Sequence, residues 1–354
     1  MKNNWWKILG VIILFYVIIV GMIVPLKPGI VDSSPKTVSA GHDIELTIET
    51  YNTHLNKAKD LNIFLKFSDD QIISAKSGDI HDYNHLTATF DIPIEIKSET
   101  SIANATLIID NEIDGPALLP KAVFVKDIDK TRSADVWIGD IRPKLHVKDD
   151  FAFPYRSVIH ETVRNTFFHV AIWMAMFALL IVSVINSILF MIKKDMKYDH
   201  ISNGFTSVAI VFGLAGIATG MIWAKYTWGA YWTADIKLNM AAVTLLLYLA
   251  YWLLRSSIDD LDTKARLAAM YNIFAFVALI PLLIIIPRLT DSLHPGSGGN
   301  PAMGGEDLDN TLRMVFYPAI IGLTLLGTWM ANLYIRYQKI SSELLEREID
   351  SEYS

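Results

Sequence analysis

The stretch Phe168–Met191, "FHVAIWMAMFALLIVSVINSILFM", decides the fold. It contains no Asp, Glu, Lys or Arg, and it exceeds the roughly 20 apolar residues with which a helix crosses a bilayer. Five further stretches read the same way: Ile8–Val24, Phe205–Trp223, Leu238–Leu254, Leu267–Ile286 and Met314–Ile335. Pro281 and Pro318 fall inside the last two, where a membrane helix tolerates proline and a kink is expected. Of 354 residues 52% are hydrophobic, and the mean hydropathy is +0.33, too apolar for an ordinary soluble domain. The expected class is an α-helical membrane protein, a six-span bundle.

Charge in the short loops orients the spans. Lys2 and Lys7 precede the first. Lys193, Lys194 and Lys197 follow the second, Arg255, Lys264 and Arg266 the fourth, and Arg336 and Lys339 the sixth. Every second boundary is basic, which puts both termini in the cytoplasm. Residues 25–167, 224–237 and 287–313 then face outward. The first span reads as an uncleaved anchor; "VSA" at 38–40 imitates a signal cleavage site but lies too far beyond the apolar core. A net charge of -6 argues against nucleic acid, and the absence of cysteine excludes disulfides, thiolate metal sites and thiol catalysis.

Between the first two spans the composition changes. "HDIELTIETY", "LNIFLKF" and "FDIPIEI" alternate apolar and polar residues from Ile44, Leu61 and Phe90 onward. That period reads as half-buried antiparallel strands, and several together as a small β-sandwich, an all-β extracytoplasmic insert. Pro93 assigns its strand to an edge or a bulge. His42, His54, His81 and His85 read as solvated loop residues, and no catalytic constellation stands out. In "FAFPYRSVIHETVRNTF", Val158, Ile159, Thr162, Val163 and Phe167 form a short helical stripe, expected to lie on the outer leaflet. The divisions are a first span at 1–25, the β-rich insert at 26–150, a five-span bundle at 151–340 and a cytoplasmic tail at 341–354.

Three segments meet on the outer face. "MIWAKYTWGAYWTAD" (221–235) packs Trp223, Trp228 and Trp232, with Tyr226 and Tyr231, before Asp235 and Lys237. His169 opens the second span, and His294 lies in the last outer loop. Singly, the tryptophans read as an interface belt, His169 as an interface residue and His294 as an ordinary loop residue before Pro295. Together, two imidazoles and an aromatic shelf suit haem, whose iron takes two axial nitrogens and whose ring offers a flat apolar face. Lys225, Lys237, Arg164 and Arg288 are the cations near enough in topology for propionates. Asp235 is expected to orient its loop by accepting indole or backbone N–H bonds.

"WGAYWTAD" followed by "IKL" resembles the tryptophan-rich WWD signature of the haem-handling proteins of cytochrome c biogenesis, most closely the six-span CcmC type. "RNTFFHVAIWMAMF" is similar to that family's stretch around its first axial histidine, and His294 stands where the family keeps the second. Trp228, Gly229, Tyr231, Trp232 and Asp235 fall on the signature, with Lys237 at an often basic position. The resemblance covers span one and residues 160–335. Ala234 stands where a tryptophan usually precedes the acid, Tyr231 where one is often found, and the β-insert is foreign to the pattern.

The resemblance implies a chain in a bacterial inner membrane, with the β-insert in the periplasm. It implies transient binding of b-type haem through His169 and His294 and presentation to a periplasmic haem chaperone, beside other membrane subunits of cytochrome c maturation. It implies haem transfer rather than conventional catalysis. Three other readings stand beside it. A CcsA-like haem synthase would carry more spans and more intramembrane histidines. A non-catalytic receptor with the β-domain as reader would bind no pigment. A transporter would need polar groups across the mid-membrane, where the sequence offers Asn186, Thr219, Thr244 and Asn272.

Overall fold

The computed structural model describes residues 4–96, 98, 100–128, 144–156, 160–294 and 308–352. The chain divides into two compact units, Val24–Glu161 and the remainder, Met1–Ile23 with Thr162–Ser354.

The Val24–Glu161 unit is all β. The strands are β1 (Gly29–Ser34), β2 (Thr37–Ser39), β3 (Asp43–Tyr51), β4 (Leu61–Ser68), β5 (Gln71–Ser74), β6 (Ser77–Ile80), β7 (His85–Asp91), β8 (Ala103–Asn111) and β9 (Ala117–Lys126). They form a four-stranded sheet in the order β1-β3-β7-β6 and a five-stranded sheet in the order β2-β9-β8-β4-β5. Pairing is antiparallel except between β2 and β9. The alternation explains the packing: Leu46, Ile48, Leu86, Ala88 and Phe90 of one sheet share a core with Ile63, Leu65, Leu107, Ile109 and Val123 of the other.

"FDIPIEI" departs from expectation. Its strand, β7, ends at Asp91, because Pro93 has no N–H for a ladder. Ile92 and Ile96 remain buried, and Ile92 exchanges backbone bonds with Gly41 and His42. His85 meets Asp82 at 2.9 Å and His54 meets Asp114 at 2.9 Å, both at the surface.

The second unit is helical. Its helices are α1 (Trp5–Ile23), α2 (His169–Lys193), α3 (Met196–Trp228), α4 (Ile236–Ser256), α5 (Leu261–Ile280), α6 (Ile286–Leu289) and α7 (Asn310–Glu352). Among the described residues six helical segments are long and apolar enough to cross a membrane, α5 and α6 forming one of them with the turn between. Together with the β unit they make this a helical membrane protein with a β insert. Pro281, which cannot donate a helical N–H, opens a π-turn at Pro281–Ile285 in place of a simple kink. Pro318 stays inside α7. The expected outer-leaflet helix is a 3₁₀ segment, His160–Phe167, with Val163 and Phe167 buried; Val158 and Ile159 lie outside the described residues.

α3 is longer than the apolar pattern at both ends. Asp195 caps its start by accepting from the Lys197 N–H. At the other end nothing interrupts the helix before Gly229, which takes a left-handed φ of 79° and closes it. α1 packs on α7, where Gly322 lies so close to Ile13 and Leu14 that a Cβ would come within 3.0 Å of them.

Polar groups within the bundle engage one another. Asn272 of α5 donates to Ser183 (2.8 Å) and Ser187 (2.9 Å) of α2, and Ser202 and Thr206 of α3 complete a buried knot. Arg255 grips Asp199 through two bonds of 2.7 and 2.9 Å. Hydroxyls and amides of this kind hold membrane helices in register, because unpaired polar groups in hydrocarbon are costly.

Candidate functional site

At the end of the bundle where α3 connects to α4, a cleft opens between α2, α3, α4 and the segment from the π-turn to His294. Its cavity volume is about 230 Å³. Its wall is largely apolar: Val170, Trp173 and Phe177 from α2, Ile217 and Met221 from α3, and Leu238, Ala241, Leu283 and Pro287 opposite. His169, His294, Lys237 and Trp232 supply the polar and aromatic features.

Each imidazole is held from behind. His169, at the first position of α2, places Nδ1 3.0 Å from the Gly216 carbonyl and 3.1 Å from Thr219 Oγ1. A carbonyl only accepts, so Nδ1 carries the proton and Nε2 keeps the lone pair. Glycines on α3 make the close approach possible. A Cβ on Gly220 would lie 2.7 Å from His169 Cε1, and one on Gly216 would lie 2.8 Å from the Trp173 ring. Trp223 meets His169 edge-on at 5.6 Å and anchors its own indole N–H on Thr162 at 3.1 Å.

His294 rests on Asp235, with Nδ1 3.0 Å from Oδ1. This again makes Nδ1 the donor and Nε2 the lone-pair nitrogen. Asp235 is the N-cap of α4, accepting from the Lys237 and Leu238 N–H groups. Its other oxygen accepts from the Ser292 hydroxyl and the Leu293 N–H, both at 2.8 Å. Burial raises the Asp235 pKa, but these bonds and the nearby His294 outweigh it, so the carboxyl stays below its ordinary value. Burial likewise pushes His294 down, against the opposing pull of Asp235, and favours neutral imidazole. Trp228 closes on the His294 ring at 4.7 Å, edge to face.

The structure therefore gathers the sequence-selected residues unevenly. His169, His294, Trp232 and Lys237 line the cleft. Trp223 and Trp228 sit on the last turns of α3, not in a loop, and each buttresses one imidazole. Gly229 ends the helix. Tyr231 is exposed and carries the Lys225 ammonium 5.6 Å above its ring. Of the cations considered for propionates, Lys225 donates to the Gly229 carbonyl and Arg164 to the Gly21 carbonyl, whereas Lys237 reaches the cleft. Asp235 accepts backbone N–H bonds; its partners beyond the backbone are the imidazole of His294 and the hydroxyl of Ser292, not an indole.

Sequence reading missed Trp173, Phe177, Gly216, Gly220, Leu283 and Pro287 as cleft residues. The one local signal was Gly216 and Gly220, four apart on one helix face, a spacing that admits a close neighbour.

The family model of CcmC, heme exporter protein C, matches residues 151–353, more than half of the chain. The β-rich residues before 151 lie outside that match. The chain is similar to the heme exporter protein C of Bradyrhizobium diazoefficiens, 27% identical over 54% of this chain and 70% of that protein. It is similar to that of Paracoccus denitrificans, 25% identical over 49% and 71%. Against that of Escherichia coli K12 it is 26% identical over 36% of this chain and 51% of the other.

Proposed function

The chain belongs to the CcmC, heme exporter protein C, family, and on that premise we propose that it holds haem between His169 and His294 and presents it to a periplasmic haem chaperone. Membership of the family gives it a role in haem handling for cytochrome c maturation, within a multi-subunit delivery system in the inner membrane. The termini lie in the cytoplasm and the β unit in the periplasm, as the loop charges require. The haem is b-type and stays only until handover.

One observation carries the reading. Two imidazoles with their Nδ1 protons committed to oxygen acceptors border one apolar cleft. Among the described residues no three His, Asp or Glu side chains converge on a bare metal ion. Two neutral imidazoles suit iron already held in the plane of a macrocycle. Bound haem supplies the iron and the vinyl edge that the acceptor receives.

The chain's own residues bind, orient and exclude water. His169 and His294 fix the axial direction. Trp173, Phe177 and Leu283 line an apolar wall from which water is displaced. Trp232, 41% exposed, offers its ring at the rim, where its indole N–H reaches Asn239 at 3.3 Å. Lys237 provides the cation for a propionate.

The detergent-purified chain is expected to show a low-spin, six-coordinate haem spectrum when oxidised and when reduced. It is expected to load a haem chaperone without forming a thioether product by itself. A colourless chain refutes the proposal. Lys237→Gln is expected to weaken haem binding at least tenfold in a titration of the apoprotein, the loss of a charge-assisted bond of about 1.5–3 kcal/mol. Lys225→Gln should change affinity less, since its ammonium is held on the Gly229 carbonyl.

A further inference from the structure

The two imidazoles are backed by different chemistry. Behind His294 stands a carboxylate, Asp235, whose side chain is 1% exposed and whose position is fixed by Ser292, Leu293 and the start of α4. Behind His169, among the described residues, stand neutral acceptors, the Gly216 carbonyl and the Thr219 hydroxyl. Thr219 itself donates to the Ala215 and Gly216 carbonyls, so its oxygen has a lone pair but no charge to give.

An anionic partner polarises Nδ1–H more than a neutral one and pushes electron density onto Nε2. Partners of this kind raise ligand basicity at metal sites. The low dielectric of a buried pair enlarges the difference. His294 is therefore the stronger donor and His169 the weaker.

The supports differ mechanically as well. His169 is wedged against Gly220 and faced by Trp223, on the first turn of a long helix. Asp235, Ser292 and His294 form one hydrogen-bonded group outside the regular helices, with Trp228 against the ring.

Resting on the proposed haem site, we infer that the His169 bond is the one that opens at handover, while His294, held by Asp235, keeps the iron until an acceptor ligand has taken the vacated face. In that exchange the iron–Nε2 bond of His169 breaks with its electron pair returning to the imidazole. The incoming donor supplies a pair of its own, and no electron leaves the system. His169 stays where Gly216 and Thr219 hold it, ready for the next haem.

Carbon monoxide serves as the incoming ligand in the test. The full chain is purified with its haem, reduced with dithionite and saturated with carbon monoxide. Resonance Raman after photolysis then gives the iron–imidazole stretching frequency of the retained ligand. Asp235→Asn is expected to lower that frequency and Thr219→Val to leave it unchanged. A frequency that follows Thr219→Val, or that responds to neither variant, overturns the order of opening.

A second arm does not depend on Asp235→Asn folding. His169→Gly is expected to retain five-coordinate haem that 10 mM-scale added imidazole converts to six-coordinate, while His294→Gly loses most of its haem. The reverse ranking overturns the inference and leaves the axial pair standing. An unchanged six-coordinate spectrum in both glycine variants overturns the axial assignment itself, and the inference with it.

Discussion

Replacing His294 by alanine is expected to strip most of the haem that co-purifies with the chain, and His169→Ala to weaken the haem less, leaving it on one imidazole. Losing a group behind a metal ligand typically costs 10–100-fold in affinity, so losing the ligand costs at least that. Both substitutions are truncations at the edge of a cleft, and neither removes a helix. His169→Ala leaves the Gly216 carbonyl within the α3 backbone, and His294→Ala leaves Asp235 still capping α4. Circular dichroism and thermal melting should therefore change little while the Soret band falls. The double variant should bind no more haem than either single one, since the two ligands act on one iron. Normal haem content in both single variants would remove the axial assignment.

Asp235→Ala should produce the next largest effect, and on two properties at once. The carboxylate caps α4, a contribution of about 0.5–2 kcal/mol, and its removal takes the acceptor from three part-buried bonds. The donors are the Ser292 hydroxyl, the Leu293 N–H and the His294 imidazole. His294 then loses both its orientation and its anionic partner, and haem affinity should fall by about 10–100-fold. Asp235→Asn keeps a cap acceptor and should recover most of the stability but less of the affinity. Equal losses of the two properties in both variants would mean that Asp235 acts through the fold alone. The sign with pH follows from its lowered pKa. The stabilisation is complete above the ordinary value of 3.8 and is lost as pH falls through the folded value below it, so assays near neutrality see it in full.

The paired partners of His169 and His294 also give the WWD-like stretch a division of labour. Trp223 and Trp228 brace one histidine each, and Trp232 is the member left for the cleft rim. Ala234, where the resemblance leads one to expect a tryptophan, adjoins Asp235 without adding a ring. Trp173 of α2 contributes an indole to the wall instead, and Gly216 is the residue that lets it lie flush against α3.

The apolar runs by themselves determined six spans, because only a helix satisfies its backbone within hydrocarbon, and length then counts the crossings. Period-two alternation pointed to the β unit: "HDIELTIETY" buries alternate residues on a sheet face, whereas in "LNIFLKF" Phe64 is buried together with Ile63 and Leu65. The histidines and the tryptophan stretch were selected because topology places two imidazoles and a dense aromatic cluster on one face. What the sequence left open was which partner each one meets. The end of the apolar run hid the fact that Trp228 is helical, because nothing before Gly229 stops α3. The bond from Asp235 to His294 joins residues 59 positions apart, and that from His169 to Gly216 spans 47. Hydrogen bonds act over about 3 Å, so only packing of the helices decides which acceptor backs which imidazole.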